Sequence, residues 1–149
     1  MATDQVLEGG CLCGAVRYRA AGKAKVKALC HCRSCRLAAG GTSVAWVVMP
    51  AAGFAWADGA EPQRFESSPG VERTFCGRCG TSLTYAAERR VEWIDVTSAS
   101  LDAPEAGAPT LEIWTSERLS WSPPNPALPQ YERGSAPAPV QAPEPADCG

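Results

Sequence analysis

The sequence has little of three things: long apolar runs, charge of one sign, and histidine. No stretch approaches the ~20 apolar residues of a membrane-spanning helix, and the first ten residues, MATDQVLEGG, lack the positive and apolar regions of a signal peptide. We therefore expect a cytoplasmic protein without a membrane partner. The formal net charge of -2 provides no broad basic field, so no nucleic-acid partner is indicated. His31, the only histidine, is followed by Cys32 and Arg33, so the H-x-E signature of zinc deaminases is absent.

Length and composition predict one folded domain followed by a tail. The chain has 149 residues, of which 45% are hydrophobic and 20% charged, as in ordinary globular domains. Residues 1–134 form the expected domain. From Ser135 the sequence reads SAPAPVQAPEPADCG, in which proline and alanine alternate and little can pack. We expect residues 135–149 to be a disordered tail, and Cys148 within it to be an ordinary thiol.

The pattern along the domain predicts a mainly β fold with one short helical segment. Short stretches rich in Val, Trp, Phe, Tyr and Thr are bounded by Gly, Pro and Asp, which is typical of strands and turns. The predicted strands are 15–19, 25–29, 43–48, 53–57, 64–66, 72–75, 82–85, 91–96 and 111–115. The only predicted helix covers 34–39 and is ended by Gly40 and Gly41, which places Cys35 in its first turn.

Seven of the eight cysteines fall into three short clusters. The first is a C-x-C pair, the second a C-x-C-x-x-C triple and the third a C-x-x-C pair. Their members are Cys11 and Cys13; Cys30, Cys32 and Cys35; and Cys76 and Cys79. In a reducing compartment such paired clusters favour metal binding over disulfides.

The two outer pairs together supply four thiolates, which is enough for a structural zinc site. Such a site would join the N-terminal hairpin to the middle of the domain. A redox role for the C-x-x-C pair is the alternative. That role is disfavoured because a thioredoxin-like motif opens a helix, whereas residues 81–85 continue as a strand pattern.

The middle cluster offers three thiolates and leaves one coordination position of a second zinc open. Three thiolates and one zinc dication together have a formal charge of about -1, which makes a thiol a better fourth ligand than water. The alternative is a second structural zinc, with His31 or a distant residue as the fourth ligand.

Other residues near the middle cluster are candidates for catalysis and substrate binding. His31 lies between two cysteines whose side chains point the other way, so we expect it to transfer protons or to support the zinc ligands; a surface imidazole is the alternative. Arg33 and Arg36 are the candidates to bind an anionic substrate, with Arg17, Arg73 and Arg78 as further possibilities.

Several motifs resemble those of the glutathione-dependent formaldehyde-activating enzyme family, also called the centromere protein V family. They are GGCLCGAVRY at 9–18, CHCRSCR at 30–36 with GG at 40–41, RTFCGRCGTSL at 73–83, SASLDAP at 98–104 and LPQYE at 128–132. Where many relatives have a histidine before an Ile-Trp pair, this chain has Glu112.

The resemblance implies a β-tent fold with two zinc ions. Cys11, Cys13, Cys76 and Cys79 would bind the structural ion, and Cys30, Cys32 and Cys35 the catalytic one. The implied activity is that of a carbon-sulfur lyase, which condenses formaldehyde with glutathione to S-(hydroxymethyl)glutathione. A non-catalytic zinc module that binds a protein or chromatin partner is the alternative. The sequence does not indicate an oligomeric state.

Overall fold

The computed structural model describes residues 3–134, and these form the mainly β fold that the sequence predicts. Among them are ten strands and one α-helix. The strands are β1 (Gln5–Gly10), β2 (Arg17–Gly22), β3 (Val26–Cys30), β4 (Val44–Pro50), β5 (Phe54–Trp56), β6 (Gln63–Ser68), β7 (Val71–Phe75), β8 (Ser82–Ala87), β9 (Trp93–Thr97) and β10 (Leu111–Ile113). The predicted tail, with Cys148, lies outside the described residues. Within 3–134 no helix has the length and apolarity needed to cross a bilayer.

The strands form two sheets. The larger has seven strands in the order β10-β3-β4-β9-β8-β7-β6, and the smaller has three in the order β1-β2-β5. Only β10 and β3 pair in parallel; the other named pairs are antiparallel. Short turns therefore join β1 to β2 and β7 to β8, and these turns carry the outer cysteine pairs.

The central strand β4 of the larger sheet is largely buried on both faces, and each face packs against a different cysteine group. Side chains alternate between the faces of a strand. In β4, Val47 and Met49 join a core with Leu7 and Tyr18 of the smaller sheet, and this core includes Cys11 and Cys76. Val44 and Trp46 face the other way and belong to a second core with Tyr85 and the three middle cysteines. Strand alternation thus separates the two groups of cysteines.

The single helix, α1 (Arg33–Ala39), begins one residue before the predicted segment and ends where predicted. Cys32 is its N-cap, and its sulfur accepts a hydrogen bond from the Cys35 N–H at 3.3 Å. Gly40 adopts a left-handed conformation with φ 66° and donates its N–H to the Arg36 carbonyl at 2.7 Å. Glycine adopts this conformation at little cost, so the helix ends there.

Every predicted strand overlaps an observed one, but β1 was not predicted. Its inward-facing positions are Leu7 and Gly9. A Cβ added at Gly9 would lie 2.5 Å from the Tyr18 hydroxyl oxygen, so only glycine fits this close approach. Because an inward position holds no side chain, the alternation that marks a strand is missing from the sequence.

Candidate metal centres and the adjoining cavity

The four-cysteine group lies where two hairpin turns meet. Its sulfur atoms all lie within 4.8 Å of one another. The Sγ atom of Cys13 lies 3.5 Å from that of Cys11 and 3.7 Å from that of Cys76. Tetrahedral zinc with Zn–S bonds of about 2.3 Å separates its sulfurs by about 3.8 Å. The group therefore has the donor set and the spacing of a closed zinc site.

Backbone N–H groups point at these sulfurs. Val16 N–H donates to Cys11 Sγ at 3.2 Å, and the N–H groups of Arg78 and Cys79 donate to Cys76 Sγ at 3.4 Å. The pKa of Cys79 is lowered to about 5, mainly by a hydrogen bond with the Thr81 side chain and next by a hydrogen bond with the Thr81 backbone. Donors placed in this way stabilise thiolates, which are the form that binds a metal.

The three-cysteine group lies where β3 ends and α1 begins. Cys30, Cys32 and Cys35 are buried, and their sulfurs also lie within 4.8 Å of one another. Among residues 3–134 no histidine, aspartate or glutamate joins this group as a fourth potential ligand. The Nη1 and Nη2 atoms of Arg73 lie 3.8 Å from Cys35 Sγ, where the guanidinium can stabilise a thiolate. This group could hold a metal ion with three ligands.

A cavity of about 270 Å³ adjoins the three-cysteine group. This volume is at the lower end of the range of small-molecule sites, about 300–1,000 Å³. Cys30 and Cys35 form part of its wall. The other lining residues are Lys25, Val26, Ala28, Trp46, Val48, Tyr85, Arg89, Arg90, Asp95, Ile113, Trp114 and Gly134. Trp46 and Trp114 are buried and contribute aromatic surface to this wall.

Tyr85, a residue of this wall, contacts three arginines. The guanidinium carbons of Arg73 and Arg90 lie 5.0 and 4.9 Å from the centre of its ring, and Arg89 donates to its hydroxyl at 2.9 Å. Arg90 also pairs with Asp95 at 2.8 Å. Lys25 contributes another positive charge to the cavity. The cavity is therefore a positively charged pocket beside two cysteines.

His31 is buried, not a surface residue. Its Nε2 atom lies 2.8 Å from Glu112 Oε1, and both side chains are only 1% exposed. His31 neither joins the three sulfurs as a fourth ligand nor lines the cavity. This position favours a supporting role, in which His31 holds in place the segment that carries Cys30 and Cys32. The predicted part in proton transfer stays a prediction.

The predicted anion-binding arginines lie outside the cavity wall. Arg33 is exposed, and its N–H donates to Glu117 Oε2 at 2.6 Å. Arg36 is half-buried in α1. Of the further possibilities, Arg73 lies beside Cys35, whereas Arg17 donates to Asp102 at 2.8 Å in the smaller sheet. The roles of Arg33 and Arg36 in binding stay predictions.

The sequence reasoning missed Tyr85, Arg89, Arg90 and Asp95. These residues are distant in sequence from the middle cysteine cluster, and the order of strands brings them to the cavity beside it. Only Asp95 had a local signal: it is a charged residue in the middle of the apolar strand Trp93–Thr97. A charge at such a position requires a partner or a function.

A mainly β domain with two cysteine groups that could bind metal defines the class of this protein. The sequence model of the glutathione-dependent formaldehyde-activating enzyme family matches residues 6–117. The chain therefore belongs to that family.

Two curated relatives carry related names. A protein of Halomonas elongata, provisionally named a glutathione-dependent formaldehyde-activating enzyme, is 33% identical over 106 residues, which cover 66% of this chain and 67% of the relative. An uncharacterized lyase of Schizosaccharomyces pombe is 31% identical over 85 residues, or 53% of this chain. The matched region spans only 56% of that lyase.

A solved structure of a Rhodobacter sphaeroides protein has the same fold. It superposes with a TM-score of 0.53 at 20% sequence identity, covering 68% of this chain and 96% of the other. At this identity the likeness concerns the fold alone.

Proposed function

We propose that this protein is a zinc-dependent carbon-sulfur lyase that forms and cleaves the adduct of a small thiol and a small aldehyde. Glutathione and formaldehyde, joined as S-(hydroxymethyl)glutathione, are the proposed substrate pair. The proposal places the reaction in the cytoplasm, where thiols stay reduced. Family membership supports a lyase of this type, and the site supports a thiol as substrate.

One observation carries the proposal. Three buried cysteines lie together, and no histidine, aspartate or glutamate among the described residues supplies a fourth ligand. Two of the three cysteines line a cavity. A structural zinc site has four protein ligands, whereas a catalytic site has three and an open position. The arrangement thus fits a metal that is reached by a small molecule.

The donor sets fit two zinc ions with different tasks. Cys11, Cys13, Cys76 and Cys79 would hold the structural ion, and Cys30, Cys32 and Cys35 the catalytic one. When bound in the second group, zinc would lower the pKa of a substrate thiol and hold its thiolate. All three ligands are soft sulfur donors, which matches this chemistry better than the activation of water.

The chain's own residues would bind and orient the thiol. Lys25 and Arg89 bring positive charge to the cavity that Cys30 and Cys35 line. Glutathione has carboxylates far from its sulfur, so basic groups can bind one end while the sulfur reaches the cysteines. Arg73 would stabilise the charge on Cys35, and Trp46 and Trp114 would shield the site from water.

The alternative of a non-catalytic binding module has less support. A module of that kind would favour a closed second site, but within residues 3–134 no fourth ligand from histidine, cysteine, aspartate or glutamate completes it. The cavity beside the three cysteines is better explained by a small substrate.

The test is the exchange of formaldehyde between its free form and its glutathione adduct, followed at equilibrium by NMR. The zinc-loaded wild type should accelerate exchange, and Cys32→Ala should lose this acceleration while keeping its fold. Native mass spectrometry should count two zinc ions in the wild type and one in the variant. A wild type that holds both ions but exchanges at the uncatalysed rate would rule out this substrate pair.

A further inference from the structure

Asp95 is a buried acidic residue in the cavity wall for which the proposed function has no role. It lies in the middle of β9, a central strand of the larger sheet, and its side chain is 12% exposed. It lines the same cavity as Cys30 and Cys35. A buried carboxylate in an apolar strand is costly, so its presence needs an explanation.

Strand register places Asp95 in a row of side chains, and three members of this row, Val48, Tyr85 and Asp95 itself, line the cavity. Asp95 is opposite Tyr85 of β8 and Val48 of β4, and Tyr85 is opposite Arg73 of β7. Residues directly opposite each other in antiparallel strands share a face of the sheet. Arg73 at the end of this row lies against Cys35. The row therefore extends from Asp95 toward the three-cysteine group.

The ion pair with Arg90 uses only one of the two carboxylate oxygens of Asp95. Asp95 Oδ2 accepts a hydrogen bond from Arg90 at 2.8 Å. Asp95 Oδ1 is buried and has no hydrogen-bond partner among the described residues. Buried polar atoms are nearly always hydrogen-bonded, so one that has no partner in the protein calls for an explanation, and a catalytic role is one of the known explanations. A purely structural ion pair would leave Oδ1 unexplained.

The surroundings of Asp95 also suit a group that gains and loses a proton. Burial raises the pKa of its carboxyl above the usual range, and the attraction of Arg90 acts in the opposite direction. The charged or titratable groups around it are Arg90 after β8, Arg73 in β7, Tyr85 in β8 and Cys35 in α1, while β4 presents the apolar Val48. Lys25 and Arg89 line the same cavity.

We propose that Asp95 is the residue that carries the proton between the thiol and the aldehyde oxygen; this inference rests on the proposed function. The thiol S–H proton passes to the Asp95 carboxylate, and the electron pair on sulfur forms the new bond to the carbonyl carbon. The π electrons of the carbonyl move to its oxygen, which then takes the proton back from Asp95. Adduct cleavage runs these steps in reverse. The proton that the thiol loses is the one that the carbonyl oxygen gains, and Asp95 returns to its starting state. No oxidant, reductant or further reactant is therefore needed.

Asp95→Asn is the first test, because the amide oxygen can still accept the hydrogen bond from Arg90. Exchange between formaldehyde and glutathione should slow by about 100-fold or more, as expected for loss of a general acid-base group. The KM for glutathione and the zinc content should change little. Asp58→Asn, in an exposed turn, is the matched control and should exchange like the wild type.

A second readout follows the proton itself. Glutathione binding is measured calorimetrically at pH 7 in two buffers of different ionisation enthalpy, which counts the protons released. A free thiol is protonated at this pH because its pKa is about 8.5. The zinc-loaded wild type should release well under one proton per thiol bound, since Asp95 retains it. Asp95→Asn should release about one.

The outcomes separate the two proposals. If the zinc-loaded wild type does not accelerate exchange, the proposed function fails and the role of Asp95 fails with it. If the wild type is active but Asp95→Asn exchanges within about threefold of it, the lyase stands and the role of Asp95 is wrong. Should Asp95→Asn not fold, the wild-type calorimetry decides alone: release of a full proton would overturn the inference.

Discussion

His31 Nε2 lies 2.8 Å from Glu112 Oε1, and this contact joins the three-cysteine segment to the C-terminal part of the domain. The other carboxylate oxygen of Glu112 accepts hydrogen bonds from the Asn125 N–H and from the side chain of Gln130. One buried carboxylate thus holds the segment between Cys30 and Cys32 against residues 125–130.

Removal of Glu112 should destabilise the domain strongly. In Glu112→Ala, His31 and the donors of residues 125–130 lose their acceptor inside the protein. Each buried donor that is left without its acceptor costs about 1–3 kcal/mol. Urea unfolding should show this loss, while Glu132→Gln, exposed on the same C-terminal segment, should change stability by less than about 0.5 kcal/mol. A loss below about 1 kcal/mol in Glu112→Ala would mean that the contact does not hold the segment.

Loss of a cysteine from the four-cysteine group should be a folding defect. A structural zinc contributes apparent folding free energy on the order of 10 kcal/mol, as much as the net stability of many domains. Cys79→Ser should therefore lose its cooperative thermal transition or retain it only at high zinc concentration, as seen by circular dichroism. Cys148→Ser is the control and should melt like the wild type. A cooperative melt with full zinc content in Cys79→Ser would contradict the assigned ligand set.

Arg89 should affect the binding of anionic thiols selectively. A charge-assisted hydrogen bond contributes about 1.5–3 kcal/mol, so Arg89→Gln should raise the KM for glutathione by about tenfold or more. The KM for 2-mercaptoethanol, which has no carboxylate, should stay unchanged. Arg19→Gln, an exposed arginine of β2, is the matched control. Equal effects on both thiols would show that Arg89 acts through packing, not charge.

The parts of the fold that were predictable are those with a local signal. The Gly, Pro and Asp residues that bound the apolar stretches located nine strands, and the glycines after Ala39 located the end of α1. The cysteine groups followed from ligand number alone, since two pairs and a triple suit one closed and one open site. Strand β1 was not predicted because one of its two inward positions is Gly9, so the alternation of apolar side chains is incomplete.

The cavity wall was not predictable because it depends on strand order and register. Asp95 reaches the cavity only because β9 lies between β4 and β8, a placement that no short motif determines. The arginines nearest the middle cysteines in sequence, Arg33 and Arg36, are not among the residues that line the cavity. Arg73, distant in sequence, contacts Cys35 because β7 extends toward α1. Proximity in sequence was a poor guide to proximity in space.

The central claim is that a substrate thiol binds at the three-cysteine site, and cobalt substitution tests it most directly. With Co²⁺ in both sites, glutathione should add a fourth thiolate at the second site and raise its sulfur-to-cobalt charge-transfer absorption by about a third, as three thiolates become four. Cys32→Ala should lose this difference spectrum while the four-cysteine site keeps its own absorption. A wild-type spectrum that does not change when glutathione is added to saturation would contradict the account.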